Sequence, residues 1–215
     1  IDRGDVVVKF IPRDETKAQI LVENKTKRPL TIRLPDAFVG APVLAQFNGF
    51  GNQRGNNNGG GNGFQFGNQQ GGGNQSVGGQ LNGGNNGFFN IPPERTRRLV
   101  AACVCLDHGK PNPNPRIPYT MMRPESHLDR PEVVELLRAF SRENLDRRAV
   151  QAAAWHLNND LSWEELADMT TGRQRLIGGE EPYFTVRELK AAKSIAAHAQ
   201  EAANQPTNIA AATGR

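Results

Sequence analysis

The two cysteines of this 215-residue chain, Cys103 and Cys105, are separated by one residue. They lie in an apolar run, 96–106, whose β-branched and aliphatic residues predict a strand. Because side chains alternate across a strand, both thiols should point to the same face. Parallel side chains do not meet in the geometry of a disulfide. We therefore expect two free thiols, either as small core residues or as reactive groups.

A second candidate pair lies downstream in a helical pattern, where Gln151 and Trp155 are four residues apart and share one helix face. The segments Val104-Cys105-Leu106 and Gln151-Ala152-Ala153-Ala154-Trp155 together resemble the thioester domains of bacterial surface adhesins. Those domains carry a Cys between apolar residues and a Thr-Gln-x-Ala-x-Trp segment. Val150 stands at the position of the Thr.

The resemblance covers about residues 96–165 and implies a specific chemistry. In that family the Cys sulfur attacks the Gln side-chain amide and releases ammonia, and the resulting electrophile captures an amine or another nucleophile on a target surface. It implies Cys105 as the thiol and Gln151 as the acyl group. An exposed thioester hydrolyses, and Trp155, one helical turn away, is the candidate for shielding it. Helix packing is the alternative role for Gln151 and Trp155.

A zinc site is the other interpretation of the cysteines, because His108 follows them closely. Structural zinc sites usually use cysteine pairs in tight turns together with a second ligand pair. The remaining ligands here would have to come from His127 or His156. We therefore expect neither a metal nor a cofactor.

The sequence also lacks the motifs of serine hydrolases, zinc proteases and phosphate-binding loops, so it assigns no catalytic residue and predicts a non-enzymatic protein.

A long tract, 47–90, consists almost entirely of Gly, Asn and Gln with a few Phe, and Arg54 is its one charged residue. Such a composition buries too little apolar surface to offset the entropy of ordering it. We expect a disordered insertion between two strands. Asn/Gln-rich segments with spaced aromatics also associate with copies of themselves, which favours self-assembly.

The remaining sequence divides into a β part and a helical part. About seven short strand patterns with frequent turns predict an N-terminal immunoglobulin-like β-sandwich over 1–122, interrupted by the tract. Helical periodicity follows a loop rich in Pro and charged residues, and capping boxes begin at Ser162 and Thr185. We expect a small helical domain over 123–203, a flexible tail over 204–215, and an α+β fold overall.

The charge and hydropathy of the chain argue against nucleic-acid binding and against a membrane span. The net charge is +4, and its basic residues are interleaved with acids, unlike the basic stripe of a nucleic-acid binder. The single arginine of the tract also differs from repeated Arg-Gly-Gly units, so we expect no nucleic-acid partner. No run approaches the about 18 apolar residues of a membrane span. The chain begins at Ile1, as expected after signal-peptide removal, and equally for a fragment.

These observations predict a protein that is secreted or held at the cell surface. Its expected role is structural or adhesive, through filaments or layers formed by self-association or through binding to another surface protein. The alternative is a covalent surface-binding domain that uses an internal thioester between Cys105 and Gln151.

Overall fold

The structure is a computed structural model that describes residues 4–33, 35–43, 75–81, 88–175 and 178–205. Most of the Gly/Asn-rich tract, including its expected disorder and self-association, lies outside these residues. So does the part of the expected flexible tail that follows residue 205.

Within the described residues, eight strands precede the helices. They are β1 (Val6–Pro12), β2 (Lys17–Asn24), β3 (Leu30–Arg33), β4 (Ala37–Pro42), β5 (Val77–Leu81), β6 (Phe88–Ile91), β7 (Thr96–Cys105) and β8 (Tyr119–Met122). Six of them form a closed antiparallel barrel in the order β1-β2-β7-β5-β4-β8. The other two, β3 and β6, pair with each other as a separate ribbon.

The immunoglobulin-like sandwich predicted for 1–122 is wrong. The pairing of Phe10 with Tyr119 joins β1 to β8 and closes a single sheet on itself, whereas a sandwich keeps two facing sheets. In the buried core the ring of Phe10 contacts the rings of Phe38 and Tyr119, at centroid distances of 5.4 and 6.1 Å. The α+β character of the prediction remains, with a barrel as its β component.

The helical part follows a short 3-10 turn at Pro124–Ser126. It contains α1 (Pro131–Arg142), α2 (Arg147–Asn159), α3 (Trp163–Asp168) and α4 (Val186–Asn204), with the small hairpin β9 (Thr170–Gln174) and β10 (Glu180–Pro182) before α4. The capping boxes predicted at Ser162 and Thr185 are confirmed, because each hydroxyl accepts from the backbone three residues on and the Glu there returns the bond. Asp146 caps α2 by accepting from two backbone N–H groups.

One strand of the barrel comes from within the Gly/Asn-rich tract. β5 pairs with β4 on one side and β7 on the other. Its glycines are required by the packing: a Cβ on Gly79 would overlap the ring of Phe38, and one on Gly78 would overlap Leu137 of α1. The expectation of a disordered insertion over 47–90 is therefore wrong for this segment.

The helices lie directly on the barrel. α1 packs against β4 and β5, and α2 packs against β7. One continuous apolar core includes residues of both parts, for example Val104 and Leu106 from the strand side and Leu136 and Leu137 from α1. The strands of the barrel precede the helices along the chain, as predicted. The division into separate domains at 123–130 stays a prediction.

Candidate functional site

The structure brings together the two residues that the sequence singled out for thioester chemistry. The backbone N–H of Cys105 donates to Oε1 of Gln151 at 2.8 Å, and Nε2 of Gln151 donates to the carbonyl oxygen of Cys105 at 2.8 Å. The two residues are 46 positions apart in the chain. Gln151 is only 3% exposed, so this pair of hydrogen bonds lies in the interior.

The backbone explains why an amide side chain fits at this place. The pairing of β2 with β7 ends at Lys17 opposite Ala102, and the N–H of Cys103 donates to Thr16 O at 2.7 Å. Beyond that point no described strand lies beside β7 on the β2 side. The N–H and C=O of Cys105 point to that side. The Gln151 amide, with one acceptor and one donor, takes the place of the missing strand residue.

Both thiols are free and buried, as predicted. Cys105 is 1% exposed, and its Sγ lies 4.0 Å from the carbonyl oxygen of Glu15. The Sγ of Cys103 lies 3.9 Å from the carbonyl oxygen of Ala101 in its own strand. Cys105 is the cysteine that contacts Gln151. Cys103 lies further from the end of β7, and its sulfur contacts the backbone of its own strand.

Burial, assisted by the nearby carboxylate of Glu15 and opposed by the Arg147 guanidinium, raises the pKa of the Cys105 thiol to about 12. Burial also raises the pKa of Cys103. Both sulfurs are thus protonated at neutral pH. A thiol is a weak nucleophile, so the Cys105 sulfur can react only if its proton passes to another group during the step.

The amide is positioned as an electrophile. When a nucleophile adds to the side-chain carbonyl carbon of Gln151, negative charge develops on Oε1. The N–H of Cys105 already donates to that oxygen. A donor that is in place before reaction stabilises the developing charge without reorganisation. Two residues therefore supply a thiol, a side-chain acyl carbon whose amide is bonded to the backbone of the same cysteine, and a donor to the acyl oxygen.

Trp155 lies one helical turn after Gln151 in a cluster of rings. Its indole ring is 4.7 Å from His108, 5.6 Å from Tyr183 and 5.8 Å from Phe184, measured between centroids. Arg148 lies over the rings of Tyr183 and Phe184. Trp155 is 7% exposed, and its Nε1 has no hydrogen-bond partner among the described residues. This cluster fixes α2 against the segment that precedes α4, while the shielding role of Trp155 stays a prediction.

The residues considered for zinc do not form a site in the described part of the chain, where no group of three or more His, Cys, Asp or Glu could hold a metal ion. His127 instead lies 3.1 Å from the Ser76 hydroxyl through Nε2. His156 contacts the carbonyl of Leu161 at 2.7 Å. His108 packs on Trp155.

The residues that cover the Cys105 thiol were not among the candidates predicted from the sequence. They belong to the turn between β1 and β2, which contains Asp14, Glu15 and Thr16. An Asp followed two residues later by Thr, between two strand patterns, is a turn signature with a known mechanism. That signal predicts the turn, but only the fold places it against Cys105.

Comparison with protein-family models, with curated proteins and with solved structures found no significant match to this chain. The function of the chain is therefore inferred from its own residues and geometry.

Proposed function

We propose that the chain is a covalent surface-binding domain in which Cys105 and Gln151 form an internal thioester that captures a nucleophile on a target surface. The observation that supports this most is the pair of 2.8 Å hydrogen bonds between the Gln151 amide and the Cys105 backbone. Each molecule would react once, which agrees with a non-enzymatic adhesive protein. A secreted or cell-surface location is part of the same proposal, because the target lies on another surface.

Formation of the bond requires no other reactant. The Cys105 sulfur adds to the side-chain carbonyl carbon of Gln151, and the N–H of Cys105 stabilises the oxygen as it becomes negative. The carbon–nitrogen bond then breaks. The thiol proton leaves with the nitrogen, so the products are a thioester and one molecule of ammonia.

In the capture step the sulfur is the leaving group, whereas it is the nucleophile when the thioester forms. A target amine attacks the acyl carbon, the carbon–sulfur bond breaks, and a proton of the amine passes to the sulfur. The target is then joined to the Gln151 side chain by an amide bond, and the Cys105 thiol is restored. A target hydroxyl would give an ester by the same steps. Burial of both residues limits the competing attack of water.

The decisive experiment is the intact mass of the purified protein. We expect it to be lower than the mass calculated from the sequence by one ammonia, and we expect methylamine to add to Gln151. Cys105→Ala should show neither effect. Cys103→Ala is the matched control, because it removes the neighbouring buried thiol and should keep both effects.

Hydrolysis before measurement would leave a Glu at position 151, which peptide mass spectrometry detects. An unshifted mass, Gln at position 151 and two thiols that alkylate in denaturant would together show that no thioester forms. Gln151 would then be a packing residue that completes the hydrogen bonding of β7.

A further inference from the structure

We infer that the turn between β1 and β2 is the shield of this site, and that Asp14 is the positioning residue that holds it closed. The inference rests on the proposed thioester, since it concerns the access of water and of nucleophiles to that bond. The turn, residues 13–16, would shield the bond on the side of β2. The shielding predicted for Trp155 would come from the side of α2.

The turn lies directly over the cysteines. The carbonyl oxygen of Glu15 is 4.0 Å from Sγ of Cys105, and the next carbonyl, of Thr16, accepts from the N–H of Cys103 at 2.7 Å. Cys105 is 1% exposed, whereas Glu15 and Thr16 are themselves partly exposed. A single layer of backbone therefore separates the sulfur from solvent on this side.

Asp14 determines the shape of this layer. Its Oδ1 accepts three hydrogen bonds: from the Thr16 N–H at 2.7 Å, from the Thr16 hydroxyl at 2.6 Å and from the Lys17 N–H at 2.9 Å. Arg13 and Asp14 also donate their N–H groups to the carbonyl of Lys17, at 2.8 and 3.3 Å. The turn is thus held by the Asp14 side chain and its own backbone bonds, and it meets β7 through the carbonyls of Glu15 and Thr16.

Such a turn can open without unfolding the barrel. Loops held by few contacts open with smaller free energies than the core strands that flank them. Opening would separate the Glu15 carbonyl from Cys105 and would leave the strand pairings of β1 and β2 intact. A nucleophile on a target surface, which cannot enter a closed interior, could then reach the acyl carbon.

The test compares Asp14→Ala with Asp14→Asn. All three hydrogen bonds end on one oxygen, which Asn retains and Ala lacks. Loss of this acceptor should increase the rates of thioester hydrolysis and methylamine capture by roughly tenfold, while Asp14→Asn should stay within roughly twofold of the unmodified protein. Asp36→Ala is the control, because it removes an exposed carboxylate that pairs with Arg33 and Arg142.

Hydrogen exchange separates a local opening from general destabilisation. In Asp14→Ala the Cys103 N–H should exchange faster, while the N–H groups in the middle of β2 and β7 should exchange as before. Unchanged hydrolysis and capture rates, or equal acceleration at every barrel amide, would overturn the inference while leaving the thioester established. Absence of the ammonia loss in the unmodified protein, with Gln still present at position 151 and both thiols free, would instead refute the proposed function, and the inference with it.

Discussion

Gln151 has one role that the structure shows and a second role that belongs to the proposed function. Its amide completes the hydrogen bonding of the Cys105 backbone in a place where β2 has already ended. In the proposed thioester, its side-chain carbonyl carbon would bond to the sulfur of the same cysteine. The structural role is enough to explain the burial of the side chain, whereas the proposed chemical role would also explain why a cysteine stands at the position that the amide contacts.

The structural role can be measured without the chemistry. In a Cys105→Ala background, which cannot form the thioester, Gln151→Ala leaves the N–H and C=O of residue 105 without partners. We expect this change to lower the free energy of unfolding by about 1–3 kcal/mol, measured by urea denaturation. Gln151→Glu should cost at least as much, because its second oxygen would face a carbonyl oxygen in place of a donor. Stability equal to that of the Cys105→Ala parent would contradict the bridging role.

The raised pKa of Cys105 gives a second prediction at this scale. After methylamine capture the thiol is free but buried, and its pKa of about 12 compares with an ordinary value of 9.0. Iodoacetamide should therefore label Cys105 slowly in the folded protein at neutral pH and rapidly in denaturant. The buried neutral thiol also stabilises the fold below about pH 9, and this contribution is lost as pH rises from 9.0 toward 12. Rapid labelling of the folded protein at neutral pH would contradict the burial.

The resemblance to thioester domains is enough to predict Cys105 and Gln151 as a pair, because it depends on two short local motifs. The same reasoning could not find Glu15 or Asp14. Their relation to the site is set by the pairing of β1 with β2 and of β2 with β7, which no local pattern encodes.

At the scale of elements, helices were easier to predict than strands. The capping boxes at Ser162 and Thr185 are local signals, and they begin helices where expected. β5 was missed because Val77-Gly78-Gly79-Gln80-Leu81 has little intrinsic preference for a strand. It is a strand because its neighbours supply the hydrogen bonds, and because its glycines admit Phe38 and Leu137.

The glycine of β5 that faces α1 offers a direct test of that explanation. Gly78→Ala should destabilise the protein by roughly 1–3 kcal/mol, because the new methyl group overlaps Leu137 and α1 must move. In a Leu137→Ala background the same substitution should cost much less, since the overlapping side chain is gone. Thermal or urea denaturation of the four proteins gives the coupling energy. Equal costs in both backgrounds would show that the helix does not limit the space at Gly78.

At the scale of the whole molecule, closure of the barrel was the feature that the sequence did not predict. Alternating patterns and frequent turns are shared by sandwiches and barrels. This chain forms a barrel because β1 pairs with the distant strand β8, and because the tract supplies the strand β5. Among the described residues no helix is both long and apolar enough to cross a membrane.

Cleavage between the β and helical parts tests whether they are separate domains. Glu125 lies in the predicted boundary and is exposed, so a protease that cuts after Glu should cleave there early. We expect the two fragments to remain associated after the cut, because α1 and α2 share an apolar core with β4, β5 and β7. Size-exclusion chromatography without denaturant checks this. Fragments that elute separately and keep their secondary structure would instead establish two independent domains.

Two deletions in the Gly/Asn-rich tract separate its contribution to the fold from its predicted contribution to assembly. Replacing residues 48–72 with a short turn leaves every described strand in place, and the pairing of Gly40 with Val77 shows that β4 and β5 need only a short connection. This variant should keep the melting temperature of the full chain and should stay monomeric if the tract mediates self-association. Replacing 49–87 also removes β5, which leaves β4 and β7 each without a neighbour on one side and exposes the core beneath α1. That variant should lose cooperative unfolding, and a cooperative melt close to that of the full chain would show that the barrel does not depend on β5.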